Sequence, residues 1–270
     1  MADRTEARPA NAGAQRIEDA IRGARGRAAL MPYLMGGFPT IATSAEIGKA
    51  CADGGADLIE LGIPYSDPLA DGPVIQAAGT VALAAGATFD AILGVCKELS
   101  ERLPVVIMTY ANIMQARGVD AFCARLVESG ASGVIVPDLP PEEAGALLEE
   151  ADRVGLAVVP LIAPTTPDDR LGLVGGRARG FLYTVSVNGI TGERQGAAGY
   201  ATVIERAQRA TDVPVALGFG ISTGEQARAA ADAGADGVIV GSMLVRLAGG
   251  PDPVNAVRAA VEELAAGLDR

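Results

Sequence analysis

Short apolar runs alternate with amphipathic helical patterns along most of the chain. The apolar runs contain few polar residues, as is typical of strands buried on both faces of a parallel sheet. Eight such strands are predicted, at residues 28–35, 58–61, 105–109, 133–136, 157–161, 181–185, 215–217 and 238–240. Helices are predicted at residues 16–25, 44–54, 74–84, 89–101, 120–129, 142–154, 201–210, 223–233 and 254–267. This alternation indicates an α/β protein.

The number of units favours one closed barrel. The chain has 270 residues, a length that suits a single α/β barrel. We predict a single-domain (β/α)8 TIM barrel over residues 16–270, with an extra outer helix at its start and a disordered tail over residues 1–15. An open doubly wound sheet is the alternative. It requires a glycine-rich dinucleotide turn after the first strand, which the sequence Gly36-Gly37-Phe38-Pro39 matches poorly.

One segment, residues 57–76, concentrates acids at the end of a strand. Glu60 is the single acid in an apolar strand, where a carboxylate is unfavourable unless it is paired or its pKa rises. Asp67 and Asp71 follow in a loop stiffened by prolines and glycines. The alternative is a capping acid with a turn-rich connector. Loops on a rigid scaffold often carry catalytic groups, so a functional interpretation is favoured.

The composition of the chain limits the kinds of partner and of catalysis that are possible. The formal net charge of −11 argues against nucleic acid or an anionic membrane as the main partner. The sequence has no histidine, which excludes a Ser-His-Asp triad and a His-rich catalytic metal site. Lys49 and Lys97 are the only lysines and both fall in predicted helices, so a strand-end Schiff base is excluded. Carboxylate and phenol acid–base chemistry remains, with Glu60 and Asp71 as the candidate pair.

Two further observations concern the environment of the chain. Cys51, Cys96 and Cys123 are widely spaced and lack the spacing of metal ligands. We therefore expect them to be reduced thiols in a cytoplasmic protein. No window approaches the ~20 apolar residues of a membrane span.

The C-terminal ends of barrel strands are where a site is expected. Those positions include Glu60, Tyr110, Asp138 and Tyr183. Glycine turns follow the seventh and eighth strands, at residues 218–220 and 241–242. Glycine N–H groups and helix N-termini in these two loops often bind phosphate, although glycine can also simply end a strand. We predict a phosphorylated small-molecule substrate.

At these residues the sequence resembles the alpha subunit family of tryptophan synthase. The segment E-L-G-I-P-Y-S-D-P-L-A-D-G-P at residues 60–73 matches the family signature over its whole length. Further matches are P-Y-L-M-G-G-F-P at 32–39, M-T-Y-A-N at 108–112, V-P-D-L-P at 136–140 and N-G-I-T-G at 188–192. The resemblance implies a lyase of aromatic amino-acid biosynthesis that cleaves indole-3-glycerol phosphate to indole and glyceraldehyde 3-phosphate by a retro-aldol reaction, without a cofactor or metal of its own.

The resemblance also implies residue roles. Glu60 would protonate indole C3 and accept the glycerol hydroxyl proton, and Asp71 would stabilise charge on the indole N–H. The remaining substrate-binding matches are Tyr33, Met108 and Phe219 around the indole, Tyr183 in the lining of the site, Gly192, Gly220, Gly241 and Ser242 around the phosphate, and Thr191 in a lid over residues 188–199. For Tyr33, Met108 and Phe219, ordinary core packing is the competing explanation, and for the lid an ordinary surface loop.

The family works with a pyridoxal-phosphate beta subunit in an α2β2 tetramer and passes indole to it. The implied contact surface includes Pro64, Asp67, Pro68 and Asn112. Two alternatives are a stand-alone lyase that releases free indole, and a non-catalytic subunit that only activates its partner. A third, more distant alternative is another phosphate-binding barrel, such as a sugar-phosphate isomerase.

Overall fold

The computed structural model describes residues 10–24, 28–185, 197–218 and 220–269. Its strands are β1 (Ala29–Met35), β2 (Ile59–Gly62), β3 (Val105–Met108), β4 (Gly133–Ile135), β5 (Ala157–Val158), β6 (Leu161–Ile162), β7 (Leu182–Val185), β8 (Val215–Gly218) and β9 (Gly237–Val240). They form one sheet in the order β5-β4-β3-β2-β1-β9-β8-β7-β6, and neighbouring strands are parallel. The predicted strands are therefore present.

The two edges of this sheet are pieces of one predicted strand. Strand β5 pairs with β4, and β6 pairs with β7, while only Val159 and Pro160 separate the two pieces in sequence. Proline has no N–H to donate, which interrupts regular pairing at this point. Val159 nevertheless donates its N–H to Val134 (3.0 Å), and the Pro160 carbonyl accepts from the N–H of Tyr183 (3.1 Å). The ring is thus closed, which confirms the (β/α)8 barrel and excludes the open sheet.

Helices alternate with these strands. They are α1 (Ala12–Arg22), α2 (Ile41–Asp53), α3 (Pro73–Ala84), α4 (Phe89–Ser100), α5 (Ala111–Gln115), α6 (Val119–Glu128), α7 (Gly145–Val154), α8 (Asp168–Arg177), α9 (Ala197–Ala210), α10 (Gly224–Asp232), α11 (Ser242–Ala248) and α12 (Pro253–Leu268). Among the described residues no single helix is long and apolar enough to span a membrane. Helices α3 and α4 together meet the length and composition criteria but are bent by 109° at the break between them.

Three of these helices, α5, α8 and α11, were not predicted. Helices α5 and α11 have five and seven residues, too few for a clear helical period. In α8 the glycines weaken the sequence signal. The structure gives Gly175 a packing role, because a Cβ at that position would lie 2.3 Å from the carbonyl oxygen of Ala210 on α9. Close packing of α8 on α9 therefore requires the residue that obscures the helix in the sequence.

Helix α1 closes the bottom of the barrel, so its predicted place among the outer helices is wrong. Ile17 and Ile21 are buried in the same cluster as inward-facing strand residues such as Met31, Val106 and Phe181. The helix packs against β1, β4 and β5. An amphipathic pattern shows that one face is buried, but not which surface covers it.

The start of α1 also differs from the expectation. The helix begins at Ala12, so residues 12–15, which were assigned to the tail, are helical. The Asn11 side chain accepts from the N–H of Ala14 (2.9 Å) and donates to the carbonyl of Leu156 (2.9 Å). The Gly13 N–H donates to the carbonyl of Gly155 (2.8 Å). These bonds fasten the helix start to the end of α7.

We predict that Ile17→Ala lowers the free energy of unfolding by about 2–4 kcal/mol, because its fully buried side chain fills the barrel floor. A methyl group on Gly133 or Gly180 would come within 3.0 Å of Ile17 Cδ1, so the space around it is tightly filled. Urea unfolding measures the change. The control is Leu173→Ala on α8, where 41% of the residue is exposed and a loss below about 1 kcal/mol is expected. Equal losses would contradict the role given to α1.

Candidate active site

A cavity of about 260 Å³ lies at the C-terminal ends of the strands. Its lining comes from several strands and the segments that follow them: Tyr33, Gly72, Pro73, Val74, Met108, Tyr183, Gly220, Ile221, Ile239, Gly241, Ser242 and Arg246. Six of the predicted substrate-binding residues are among them. The two candidate acids lie at its edge, since Glu60 is paired in register with Tyr33 and Asp71 directly precedes Gly72. A larger cavity of about 340 Å³ between α7 and α8 contains neither acid in its lining.

Glu60 on β2 is fully buried, and neither of its carboxyl oxygens has a hydrogen-bond partner among the described residues. Burial raises the pKa of Glu60 from 4.5 to about 8. The carboxyl group is therefore protonated at neutral pH and can act as an acid. A buried polar group without a partner costs about 1–3 kcal/mol, so its retention at a cavity edge indicates a functional role.

Two tyrosines lie beside this carboxyl. Burial raises the pKa of Tyr33 well above its usual value, and the charges of Asp71 and Glu60 raise it further. Burial likewise raises the pKa of Tyr183, followed by the charge of Glu60. Both phenols thus remain protonated, and Tyr33 is close to both candidate acids.

Strand-end glycines make room for these phenols. A Cβ at Gly62 would lie 2.3 Å from the hydroxyl oxygen of Tyr33, and a Cβ at Gly218 would lie 2.4 Å from that of Tyr183. Any side chain at either position would displace a tyrosine hydroxyl. Gly62 lies within the signature segment, but the sequence gives no direct sign of this cross-strand contact.

Asp71 is half-buried in the loop after β2. Burial raises its pKa above the usual value, and a hydrogen bond with Tyr110 opposes that rise. The Tyr110 hydroxyl oxygen also accepts from the N–H of Ala70 (3.0 Å). The Asp71 carbonyl accepts from Gln76 Nε2 (2.8 Å). Tyr110, a strand-end position without a predicted role, therefore helps to fix the loop that carries Asp71.

The predicted phosphate residues meet at the same cavity. Gly220, Gly241 and Ser242 all line it, although the first two follow different strands. Gly220 has φ of +79°, a conformation that favours glycine. Gln226 Oε1 accepts from both the N–H (2.8 Å) and the hydroxyl (3.0 Å) of Ser222, which holds the turn after β8. Three further predicted site residues, Thr191, Gly192 and Phe219, lie outside the described residues.

Comparison with known proteins agrees with this geometry. The sequence model of the tryptophan synthase alpha chain family matches residues 20–267. The alpha chain of Synechococcus elongatus is 49% identical over 224 residues, which are 82% of this chain and 84% of that protein. The alpha chain of Gloeobacter violaceus is 50% identical over 227 residues, 83% of this chain and 82% of that one. This chain belongs to the tryptophan synthase alpha chain family.

Solved structures of tryptophan synthase share the fold. A chain of the Mycobacterium tuberculosis enzyme in an open form with BRD0059 bound superposes with a TM-score of 0.86 at 36% identity, over 94% of this chain and 98% of that one. A chain of the Pyrococcus furiosus tryptophan synthase complex gives a TM-score of 0.81 at 37% identity, over 88% and 98%. The resemblance seen in the sequence is confirmed. As a tryptophan synthase alpha chain, this protein catalyses the cleavage of indole-3-glycerol phosphate.

The residues predicted to contact the beta subunit lie in the loop after β2 and in α5. Asp67 and Asn112 are exposed, Pro68 is half-buried and Pro64 is buried. Asn112 Nδ2 donates to the hydroxyl of Tyr65 (3.2 Å), which joins α5 to the loop after β2. The burial of Pro64 suits a role in shaping this loop more than in direct contact.

We predict that Glu60→Gln becomes more stable relative to the wild type as pH rises from about 4.5 to about 8. In this window the folded wild type holds a proton that the unfolded chain releases, so raising the pH lowers its free energy of unfolding. Glutamine has no proton to lose. The difference should grow by a few kcal/mol, on the order of 1.4 kcal/mol per unit of pKa, and then level off.

Thermal unfolding across this pH range measures the difference. Glu101→Gln, the same substitution at an exposed position, is the control. If the stability profiles of wild type and Glu60→Gln run parallel, folding does not raise the pKa of Glu60.

Proposed function

We propose that Glu60 is the general acid, and then the general base, in the cleavage of indole-3-glycerol phosphate. The observation that carries this proposal is a buried carboxyl, protonated at neutral pH, at the edge of a cavity of about 260 Å³ with a largely apolar lining. Indole is a poor carbanion leaving group. An acid that can deliver a proton to carbon removes the need to expel a carbanion.

The proposed steps balance. Glu60 gives its proton to indole C3, and the ring nitrogen becomes a positively charged iminium. Asp71 stabilises that charge through the indole N–H. The ionised Glu60 then accepts the proton of the glycerol hydroxyl next to C3, the carbon–carbon bond breaks, and its electron pair returns to the ring. Indole and glyceraldehyde 3-phosphate leave, and Glu60 is protonated again.

The other site residues bind the two ends of the substrate. We assign the indole ring to Tyr33, Met108 and Phe219, with Tyr183 beside the Glu60 carboxyl. The phosphate is assigned to N–H groups at Gly192, Gly220, Gly241 and Ser242, and Thr191 to a lid that meets Asp71. Support comes from the cavity itself, because the described members of both groups line it together.

We also propose that the chain docks on a beta subunit in an α2β2 tetramer and hands indole to it. Support comes from the exposed side chains of Asp67 and Asn112 beside the loop that carries Asp71. The face also presents Leu69, which is 89% exposed. A cytoplasmic location is proposed on the three buried, free cysteines. A stand-alone lyase would use the same two acids and differ only in its activity without a partner.

We expect Glu60→Gln to reduce turnover by at least about 10³-fold, because the amide cannot deliver the proton. Asp71→Asn should lower turnover by about 10²-fold, since it keeps the shape but removes the stabilising charge. Indole release from indole-3-glycerol phosphate measures both, with binding of glycerol 3-phosphate as a check that the site is intact. Near-wild-type turnover of Glu60→Gln would remove this mechanism.

Substitution on the proposed docking face should separate the partner question from catalysis. Asn112→Arg places a bulky charge on that face and should weaken beta-subunit binding by at least about tenfold, with little change in the activity of the isolated chain. Asn255→Arg is the matched control, because Asn255 is exposed on α12. Titration with a beta subunit, followed by indole release, measures the effect. Full activity without any beta subunit, and no rise on adding one, would favour the stand-alone lyase.

A further inference from the structure

The lining of the cavity beside Glu60 contains one charged side chain among the described residues, that of Arg246. The rest of the lining is apolar, glycine, tyrosine or serine. A single cation in a mostly neutral cavity is a candidate for recognition of a substrate charge, and the substrate class proposed above carries a phosphate monoester. Arg246 has no role in the chemistry described so far.

Arg246 lies on the same face of its helix as a predicted phosphate residue. It follows Ser242 by four residues in α11, and residues four apart share a helix face. Side chains on a helix lean toward its N-terminal end, which brings the guanidinium back toward Ser242 and the turn after β9. Ser242 and Gly220 line the cavity together with Arg246. The guanidinium is thus placed at the phosphate end of the cavity.

The donors of this arginine are not used elsewhere in the described part of the chain. Arg246 is exposed and has no ion pair or hydrogen bond to another described residue. Other basic side chains near the barrel are already paired. Lys49 binds Glu46 and Glu98, and Arg206 binds Asp168. A guanidinium offers five N–H donors in a planar fork that matches phosphate oxygens.

Electrostatics favour a cation at this end of the cavity. A phosphate monoester carries about −1.5 to −2 charge near pH 7. The chain has a formal net charge of −11, and Asp71 lies at the same cavity. Glycine N–H groups supply only partial positive charge. The seven-residue helix α11 is too short to add a large dipole. Without a cation, a dianion would enter an acidic protein against net repulsion.

We infer that Arg246 is a substrate-binding residue whose guanidinium holds the phosphate monoester of the substrate against the glycine turns after β8 and β9. This inference rests on the proposed function for the position of the phosphate. It predicts selectivity for a dianionic tail over an uncharged one. Because the phosphate is remote from the bond that breaks, loss of Arg246 should raise KM and change kcat little.

The test compares Arg246→Gln and Arg246→Lys with the wild type, using the full chain and glycerol 3-phosphate as the probe. Calorimetry should show binding roughly tenfold weaker for Arg246→Gln, because a charge-assisted hydrogen bond is lost. Arg246→Lys keeps the charge but loses the planar fork, so its affinity should lie between those of the wild type and Arg246→Gln. Arg228→Gln is the control. It removes one exposed positive charge from α10, where Arg228 donates to the Asp269 carbonyl, and should bind normally.

A second readout reports on the phosphate itself. The second pKa of a free phosphate monoester is about 6, and a neighbouring guanidinium lowers it. In ³¹P NMR titrations, the bound probe should ionise at lower pH in the wild type than in Arg246→Gln. Should Arg246→Gln fail to fold, the guanidinium Nε–H signal of Arg246 in the wild type, assigned against Arg246→Lys, must shift on adding the probe.

Some outcomes would overturn the inference. They are equal probe affinity and equal phosphate pKa in wild type and Arg246→Gln, an unshifted Arg246 signal, or no binding of the probe by the wild type. Cleavage of indole-3-glycerol phosphate by the wild type is measured separately. If Arg246 determines probe binding but no cleavage occurs, the mechanism fails and the inference about Arg246 stands. If the wild type cleaves indole-3-glycerol phosphate normally and Arg246→Gln has the same KM, the inference about Arg246 is refuted and the proposed mechanism stands.

Discussion

The Glu60 carboxyl lies in the wall of a closed barrel, where no described residue offers it a hydrogen bond and burial raises its pKa to about 8. The acid role proposed for Glu60 depends on this desolvation. A solvated glutamate is ionised at neutral pH and cannot protonate a ring carbon. The same burial destabilises the folded chain at high pH, so the acid is maintained at the expense of stability. Such conflicts between stability and local chemistry are expected at functional sites.

Closure of the barrel makes that burial possible. Strands β1 and β3 flank Glu60 on β2, and the bottom of the barrel is filled by Ile17 from α1. Helix α1 therefore excludes water from the end opposite the site. The strand-end glycines Gly62 and Gly218 have the complementary role at the top, because they leave space for two tyrosine hydroxyls close to the acid. The bottom of the barrel is closed to water and the top has an open cavity, so a substrate can bind only at the top.

Charge is divided along the cavity. The two acids lie at the end of β2 and in the loop after it, while Arg246 and the glycine turns lie beyond β8 and β9. A substrate with an aromatic ring and an anionic tail fits this polarity in only one orientation. Tyr110 adds order at the acidic end, because its hydroxyl bonds to Ala70 and Asp71, and its ring stacks on Tyr65 at 5.2 Å. This places the second acid in contact with the face assigned to the beta subunit.

The order of strands and helices, the position of Glu60 at a strand end and the two glycine turns can be read from the residues alone. Continuous apolar runs and the glycines that end them are local sequence signals, so they can be recognised without knowledge of the fold. The tertiary structure decided what depends on neighbours distant in sequence. It split the fifth strand at Pro160, formed α8 against α9 despite its glycines, and turned α1 under the barrel. It also determined the protonation of Glu60 and the location of Arg246, because desolvation and the direction of a side chain are properties of the surroundings and not of the residue.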